Sequence, residues 1–346
     1  MKAAVVEAFG KPLVLREWTT ATPRAGQITV KTEAYVVRHT DLHAPRGDWP
    51  FKPTPPFTPD HECIGLLAAV GAGVTNFKEG DRVGVPWLYS ACGYCEYSRS
   101  GWETVCAGAQ CGGYTVNRGL AKYVLANPDP DYVAGMPSRL TSVYVAPIVC
   151  AGVTAYKGVK GAATKQGDWL VISGTGELNN LAVQRIKAMG LFVCAVGIDD
   201  GKLAHPTLMG ADVTVDAKLP DALEQVKKAT PGGAQDTLIT EPSLAAFKKG
   251  VAMTRKRGTC ILIGLWAGEF PFLQFDVVMR CITVRGSLVG TRHGRSTGFC
   301  RWWQGKSRYR NVTFVRKQLC ARQARTWWNF RAPSYSVLII NFYFAT

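Results

Sequence analysis

The sequence predicts an α/β chain built in two parts, and three observations predict it. Short alternating runs bounded by Gly and Pro fill residues 1–147, and strands alternating with helical stretches fill residues 148–291. After residue 291 the composition changes abruptly. The length, 346 residues, fits about two domains. With 47% hydrophobic and 19% charged residues the chain can bury real cores, which excludes a disordered or collagen-like chain. No run approaches the roughly 18 apolar residues of a membrane span. The opening stretch MKAAVVEAFGKPLVLREW reads as a strand and turn, not a cleavable signal. The expectation is a cytoplasmic protein with no membrane partner.

In the first part, Gln27–Thr32 and Ile64–Val70 alternate between apolar and polar residues and read as half-buried strands. In the second part, Asp168–Ser173 reads as a buried strand, followed by a Gly-bearing turn and a helix over Leu178–Met189. Leu191–Val196 is the next strand, and Asp212–Val215, Thr237–Ile239, Thr259–Ile263 and Thr283–Ser287 continue the series. Leu219–Ala229 and Ala245–Thr254 are the helices between them. Such alternation demands a parallel sheet covered on both faces.

The net charge of +16 looks like a nucleic-acid signal, but its distribution argues against one. Residues 292–346 carry 11 Lys and Arg and no acid, whereas residues 1–291 carry 30 basic and 25 acidic residues. The last acid is Asp276, and four of the ten Trp lie in the tail as Trp302–Trp303 and Trp327–Trp328. The run Ser336–Tyr343 is β-prone and uncharged, an aggregation hazard if unpaired. No nucleic-acid reading module accompanies the charge.

Three constellations carry chemistry. The first is Cys92-x2-Cys95-x2-Ser98-x7-Cys106, whose closely spaced thiols on Gly-bearing turns suit a structural zinc. Ser98 is a poor ligand, so the site would hold three thiolates and recruit water or Cys111. The second joins Arg38-His39-Thr40-Asp41-Leu42-His43, Asp60-His61-Glu62 and Cys150. Imidazole and thiolate from distant segments could converge on a catalytic metal. Singly, each residue fits a structural role as well. The third is Ser173-Gly174-Thr175-Gly176-Glu177-Leu178-Asn179, between a strand and a helix. That context suits a dinucleotide, because Gly lets backbone amides approach a pyrophosphate at a helix N-terminus. Asn179 stands where a third Gly would ease strand–helix packing, so crowding is expected there, and Glu177 places negative charge near the phosphates.

Together these stretches resemble the zinc-dependent alcohol dehydrogenases of the medium-chain dehydrogenase/reductase superfamily, bacterial and yeast type. The resemblance runs collinearly through MKAAVVEAFGKPLV, HTDLHAPRGDWP, GVTNFKEGDRVGVPWLYSACGYCEY, APIVCAGVTAYKG, GADVTV, FDVVM and GSLVGTR, from residue 1 to about residue 292. It implies a GroES-like catalytic domain over 1–147, a Rossmann domain over 148–291 with NAD between the two, and a dimer or tetramer. It further implies that His61 and Cys150 hold a catalytic zinc whose third family ligand, a Cys, is Arg38 here. Asp41 matches an outer carboxylate, Glu62 an acid beside the zinc, and Thr40 and His43 a proton relay. His39 matches a pyrophosphate contact, Trp87 a wall of the substrate pocket and Thr154 a contact on the nicotinamide side. Gly174, Gly176, Leu178 and Lys202 match cofactor contacts, and Asp199 the acid that binds the ribose hydroxyls. Asp199 and Asp200 would repel a 2′-phosphate, which favours NAD over NADP. The implied reaction converts a small primary alcohol and NAD⁺ to an aldehyde or ketone and NADH.

The departures fall on the chemistry. Arg38 stays cationic and cannot ligate zinc. Asp60 stands where the family has Gly, which restricts that turn. Pro206 falls inside an expected helix, at a cost of roughly 3 kcal/mol. Weak turnover is therefore expected, and a catalytically inactive member is the second reading. A zinc-independent NAD(P)H reductase is the third, against which Thr40 and His43 argue. The family continues after GTR with an acidic amphipathic helix, and residues 293–311 back-translated and moved one nucleotide forward can yield such a continuation. We read the tail, 292–346, as the product of a frameshift near codon 292, replacing the C-terminal part of the catalytic domain.

Overall fold

The computed structural model describes residues 1–290 apart from 20–21, 130–131, 137, 139 and 199, and of residues 143 and 200–202 the backbone alone. The tail, with its Trp pairs and the run Ser336–Tyr343, lies outside the described residues, as does Asp199. Met1–Cys150 belongs to one compact unit and Ala151–Gly290 forms another.

The first unit is organised by an antiparallel sheet of five strands in the order Tyr123–Ala126, Ile28–Tyr35, Cys63–Val70, Arg82–Val85, Ala134–Gly135. Ile28, Val30 and Tyr35 of the strand Ile28–Tyr35 are buried together, Tyr35 after an irregular step between Thr32 and Ala34, and pack with Leu67, Val83, Val85, Leu120 and Val124. Register then decides where chemistry can occur. Tyr35 pairs with Cys63, and Cys63 pairs with Val85. The segments Val36–Arg38, Asp60–Glu62 and Pro86–Trp87 therefore leave three neighbouring strands at one end of the sheet. The Val36 amide donates to the Glu62 carbonyl at 3.1 Å, which fastens two of them together. Beyond Arg38 the chain turns into a short helix, Thr40–Arg46, which keeps Pro45 inside it.

The second unit is a six-stranded parallel sheet in the order Val213–Asp216, Phe192–Gly197, Trp169–Ser173, Ala234–Ile239, Thr254–Leu262, Thr283–Gly286. The chain begins at the third position and reverses direction of growth between Trp169–Ser173 and Ala234–Ile239, the doubly wound order expected from the sequence. Alternate side chains of one strand reach opposite faces. Leu170 and Ile172 join one buried cluster with Val183, Ile186 and Leu238, whereas Val171 joins another with Val196, Val215 and Met253. The helix Asp200–Leu208 forms with Pro206 inside it, so tertiary context holds it against the proline's missing amide.

Candidate active site

The three segments leaving the antiparallel sheet bring Arg38, Asp41, Asp60, His61 and Glu62 together, and Cys150 joins them from the short helical turns after Thr141. Val149 packs against Gly84, where a side chain would have no room. His61 Nε2 lies 3.3 Å from Cys150 Sγ. The Cys150 amide donates to Glu62 Oε1 at 3.2 Å.

Arg38 does not point away from this centre. Its Nε donates to Glu62 Oε2 and its Nη2 to Glu62 Oε1 at 2.9 Å, a two-pronged ion pair. Glu62 is wholly buried and the Arg38 side chain is 14% exposed. Both oxygens of Glu62, the acid the resemblance sets beside a zinc, are engaged by the guanidinium. Fork-to-fork geometry makes such a pair strong where water is excluded.

Around this pair the polar groups are only partly satisfied. The Arg38 amide donates to Asp41 Oδ2 at 2.6 Å, and the Glu62 amide donates to Asp60 Oδ1 at 2.8 Å. Asp41 Oδ1, Asp60 Oδ2 and His61 Nδ1 are buried and have no hydrogen-bond partner among the described residues. One oxygen from each carboxylate and one ring nitrogen of His61 lie within 4.8 Å of one another. Burial pushes the Asp41 carboxyl up to about 7, and burial with the neighbouring Asp41 raises Asp60 well above the usual carboxylate range. Burial, then Arg38 and Arg118, lowers His61 to about 3, so its imidazole is neutral. Asp60 has φ +86°, the left-handed region where Gly is at ease. Gly113 and Gly119, themselves left-handed, let their backbone lie directly against the Pro59–Asp60 peptide.

The chemistry of this donor set does not fit a four-coordinate catalytic zinc. His61 Nε2 and Cys150 Sγ remain as two donors, and Arg38, at the position where the resemblance sets a third ligand, carries a guanidinium that cannot be deprotonated and holds the nearest carboxylate. A cation beside a dication is repelled where the dielectric is low.

The surrounding candidates are placed as follows. His39 precedes the helix Thr40–Arg46 and is exposed, with its ring 6.4 Å from that of His43. Thr40 and His43 sit one turn apart, and His43 Nδ1 lies 2.7 Å from Asp48 Oδ2, a partner the sequence reading missed. Trp87 meets the His61 ring edge-on at 4.8 Å and packs with Tyr114. Sequence reasoning also missed Arg118, which is buried, donates to the Pro86 carbonyl and stacks 5.5 Å from the Tyr89 ring. A charged residue between Gly112–Gly113 and Gly119 is the one trace it leaves in the sequence.

Cys92, Cys95 and Cys106 bring their sulfurs within 4.8 Å of one another. Ser98 completes the group, with Oγ 3.5 Å from Cys92 Sγ and 3.3 Å from Cys95 Sγ. Hydrogen bonds from Ser98 and neighbouring amides lower the Cys92 thiol to about 6. Cys111 stands outside this group, in a strand pairing with Leu88–Ser90. Three clustered thiols and a hydroxyl fit a zinc with sulfur on three sides.

In the second unit, Gly174 has φ +116° and Gly176 caps the twelve-residue helix Glu177–Ala188 without any side-chain cap. A side chain at Gly176 would meet only open space, which leaves the helix amides accessible. That cradle fits a pyrophosphate. Asn179, where crowding is expected, is fully buried, and its Nδ2 donates to the Gly174 carbonyl, tying the turn to the helix. Leu178 packs half-buried against the core. Thr154 is buried in the helix Ala151–Lys160 with no partner for its hydroxyl among the described residues. Gly197, unmarked in the sequence reading, lets the end of its strand approach Thr175 closely.

Known proteins and family models match residues in both units. Residues 24–138 match the family described as Alcohol dehydrogenase GroES-like domain, and residues 179–302 match Zinc-binding dehydrogenase. An alcohol dehydrogenase of Moraxella sp. (strain TAE123) is 54% identical over 292 residues, covering 84% of this chain and 86% of that protein. One of Rhizobium meliloti (strain 1021) is 50% identical over 292 residues, covering 84% and 85%. The solved alcohol dehydrogenase of the hyperthermophilic archaeon Aeropyrum pernix has a TM-score of 0.80 at 28% identity, over 88% of this chain and 90% of that one. By identity over that span and by fold, the chain belongs to the zinc-type alcohol dehydrogenases of the medium-chain dehydrogenase family, a family of oxidoreductases.

Proposed function

We propose that this chain is an NAD-linked dehydrogenase for small primary alcohols whose nucleotide-binding half is intact and whose hydride-transfer centre is closed by Arg38. The observation that carries this reading is the two-pronged Arg38–Glu62 pair beside His61 and Cys150. A nicotinamide dinucleotide, when bound, supplies the hydride acceptor. Gly174, Gly176 and the open end of the helix Glu177–Ala188 would take its pyrophosphate, and Lys202 and Asp199 its ribose, with the acids at 199 and 200 selecting NAD. The Thr154 hydroxyl would meet the nicotinamide side, and His39 would reach a phosphate. Thr40 and His43, one helical turn apart, would pass the alcohol proton outward, with Asp48 orienting the imidazole. Trp87, edge-on to His61, narrows the alcohol's space to a small chain. The group missing from this set is the Lewis acid that makes an alkoxide at neutral pH. Cys92, Cys95 and Cys106 would hold a structural zinc with Ser98 or water completing it.

The test compares binding with turnover in the unmodified chain. NADH titrated by fluorescence should bind with ordinary micromolar affinity, while ethanol-dependent NAD⁺ reduction stays about 10²–10³-fold below that of a family enzyme with Cys at position 38. Absence of NADH binding, or strong zinc-dependent turnover, would overturn the reading.

A further inference from the structure

Between Gly174 and Gly176 stands Thr175, and its neighbours fix how its side chain points. The Gly174 amide donates to the Val196 carbonyl at 2.8 Å, which lays the turn across the end of the strand Phe192–Gly197. That strand ends in a buried glycine, whose carbonyl accepts the Ala217 amide at 2.7 Å. A Cβ at Gly197 would stand 2.1 Å from Cγ2 of Thr175 and 3.4 Å from Cδ2 of Leu203. The Thr175 methyl therefore fills the space into which any other residue at 197 would send its side chain.

A threonine carries its methyl and its hydroxyl on one carbon, so seating the methyl fixes the hydroxyl. With Cγ2 against Gly197, Oγ1 is directed off the strand. Thr175 is half-buried, and its hydroxyl reaches solvent with no hydrogen-bond partner among the described residues. It does so one residue ahead of Gly176, which is exposed and leaves the first amides of the helix Glu177–Ala188 open. Those amides draw an anion, but Glu177 brings a negative charge into the same first turn. A neutral donor at this turn offsets part of that repulsion, because a hydroxyl forms a charge-assisted hydrogen bond with a phosphate oxygen. The anchored methyl also means that little side-chain freedom is lost when the bond forms.

We propose that the Thr175 hydroxyl is a further donor to the dinucleotide's pyrophosphate, and that Gly197 is a positioning residue that holds it there by receiving the threonine methyl. The assignment rests on the nucleotide-binding reading of this turn. It makes the two positions dependent on each other: threonine at 175 needs glycine at 197.

The test is binding, by titration with NADH and with ADP-ribose, which keeps the pyrophosphate and lacks the nicotinamide. Thr175→Val keeps the methyl and exchanges the hydroxyl for a group of similar size, so the midpoint of thermal unfolding should not fall. It should weaken both ligands by about tenfold, the size of one hydrogen bond to a charged group. Thr175→Ser, which keeps the hydroxyl and loses only its anchor, should stay within about threefold of the unmodified chain. Gly197→Ala, whose methyl displaces that of Thr175, should weaken both ligands as valine does. Equal affinity in the unmodified chain and Thr175→Val would overturn this assignment alone. So would a serine variant as weak as the valine variant, or a loss confined to NADH, which would set the hydroxyl away from the pyrophosphate. If the unmodified chain bound neither ligand, the nucleotide-binding reading would fall and the assignment with it.

Discussion

At the scale of single residues, Arg38 and Glu62 decide the character of the centre. A guanidinium with a carboxylate fork is stable in a dry site only while both partners are present, because removing one strands the other's charge. Glu62→Gln should therefore destabilise the first unit by about 3 kcal/mol in urea unfolding. A change within about 0.5 kcal/mol, the size expected of surface substitutions, would show that the pair is not intact in solution. That Arg38 spoils a metal position is plain from its chemistry alone. Its union with Glu62 is not, because the two are separated by 24 residues and meet only through the Tyr35–Cys63 register. Asp60 is similar: its misfit with a glycine turn is legible in the sequence, but the approach of its carboxylate to Asp41 and His61 requires the fold.

At the scale of elements, the parallel strands were readable because fully buried strands and amphipathic helices alternate, and their observed bounds differ from the expected ones by a few residues. The strand expected over Thr259–Ile263 starts at Thr254, which pairs with Ala234, and after an irregular step the pairing resumes at Thr259 with Asp236. The short helix Thr40–Arg46 gave no periodic signal, since seven residues containing Pro45 hold too few apolar positions to show one. The thiol-bearing lobe was fully legible, because its four positions are close in sequence and chain spacing fixes their meeting. Ser98 sits where a fourth sulfur would complete a tetrahedron, within 3.5 Å of two thiols. Ser98→Cys should slow the loss of zinc to a chelator by at least about tenfold, followed with a colorimetric zinc indicator. An unchanged rate would mean that Ser98 or water already serves as well as thiolate.

At the scale of the whole molecule, the +16 charge is unevenly divided, and 11 of its positive charges lie in residues 292–346, which carry no acid. The matched relatives share 292 residues with this chain, covering 84% of it. A frameshift would give such a tail its lack of acids and its Trp pairs without any selection on folding. Sequencing the gene across codon 292 should show, one nucleotide forward, a continuation encoding an acidic amphipathic helix. A displaced frame with no such continuation would remove the frameshift from the account. The fold of residues 1–290 was legible because hydrophobic pattern specifies it, and the state of its chemical centre was not, because Arg38 there forms a buried ion pair with Glu62 that only the fold brings together. The measurement that tests this most directly is zinc per chain with ethanol-dependent NAD⁺ reduction, before and after Arg38→Cys. Restoring the thiolate should add zinc and raise turnover by about 10²–10³-fold. Equal zinc content and equal turnover in the two proteins would contradict the claim that Arg38 closes the site.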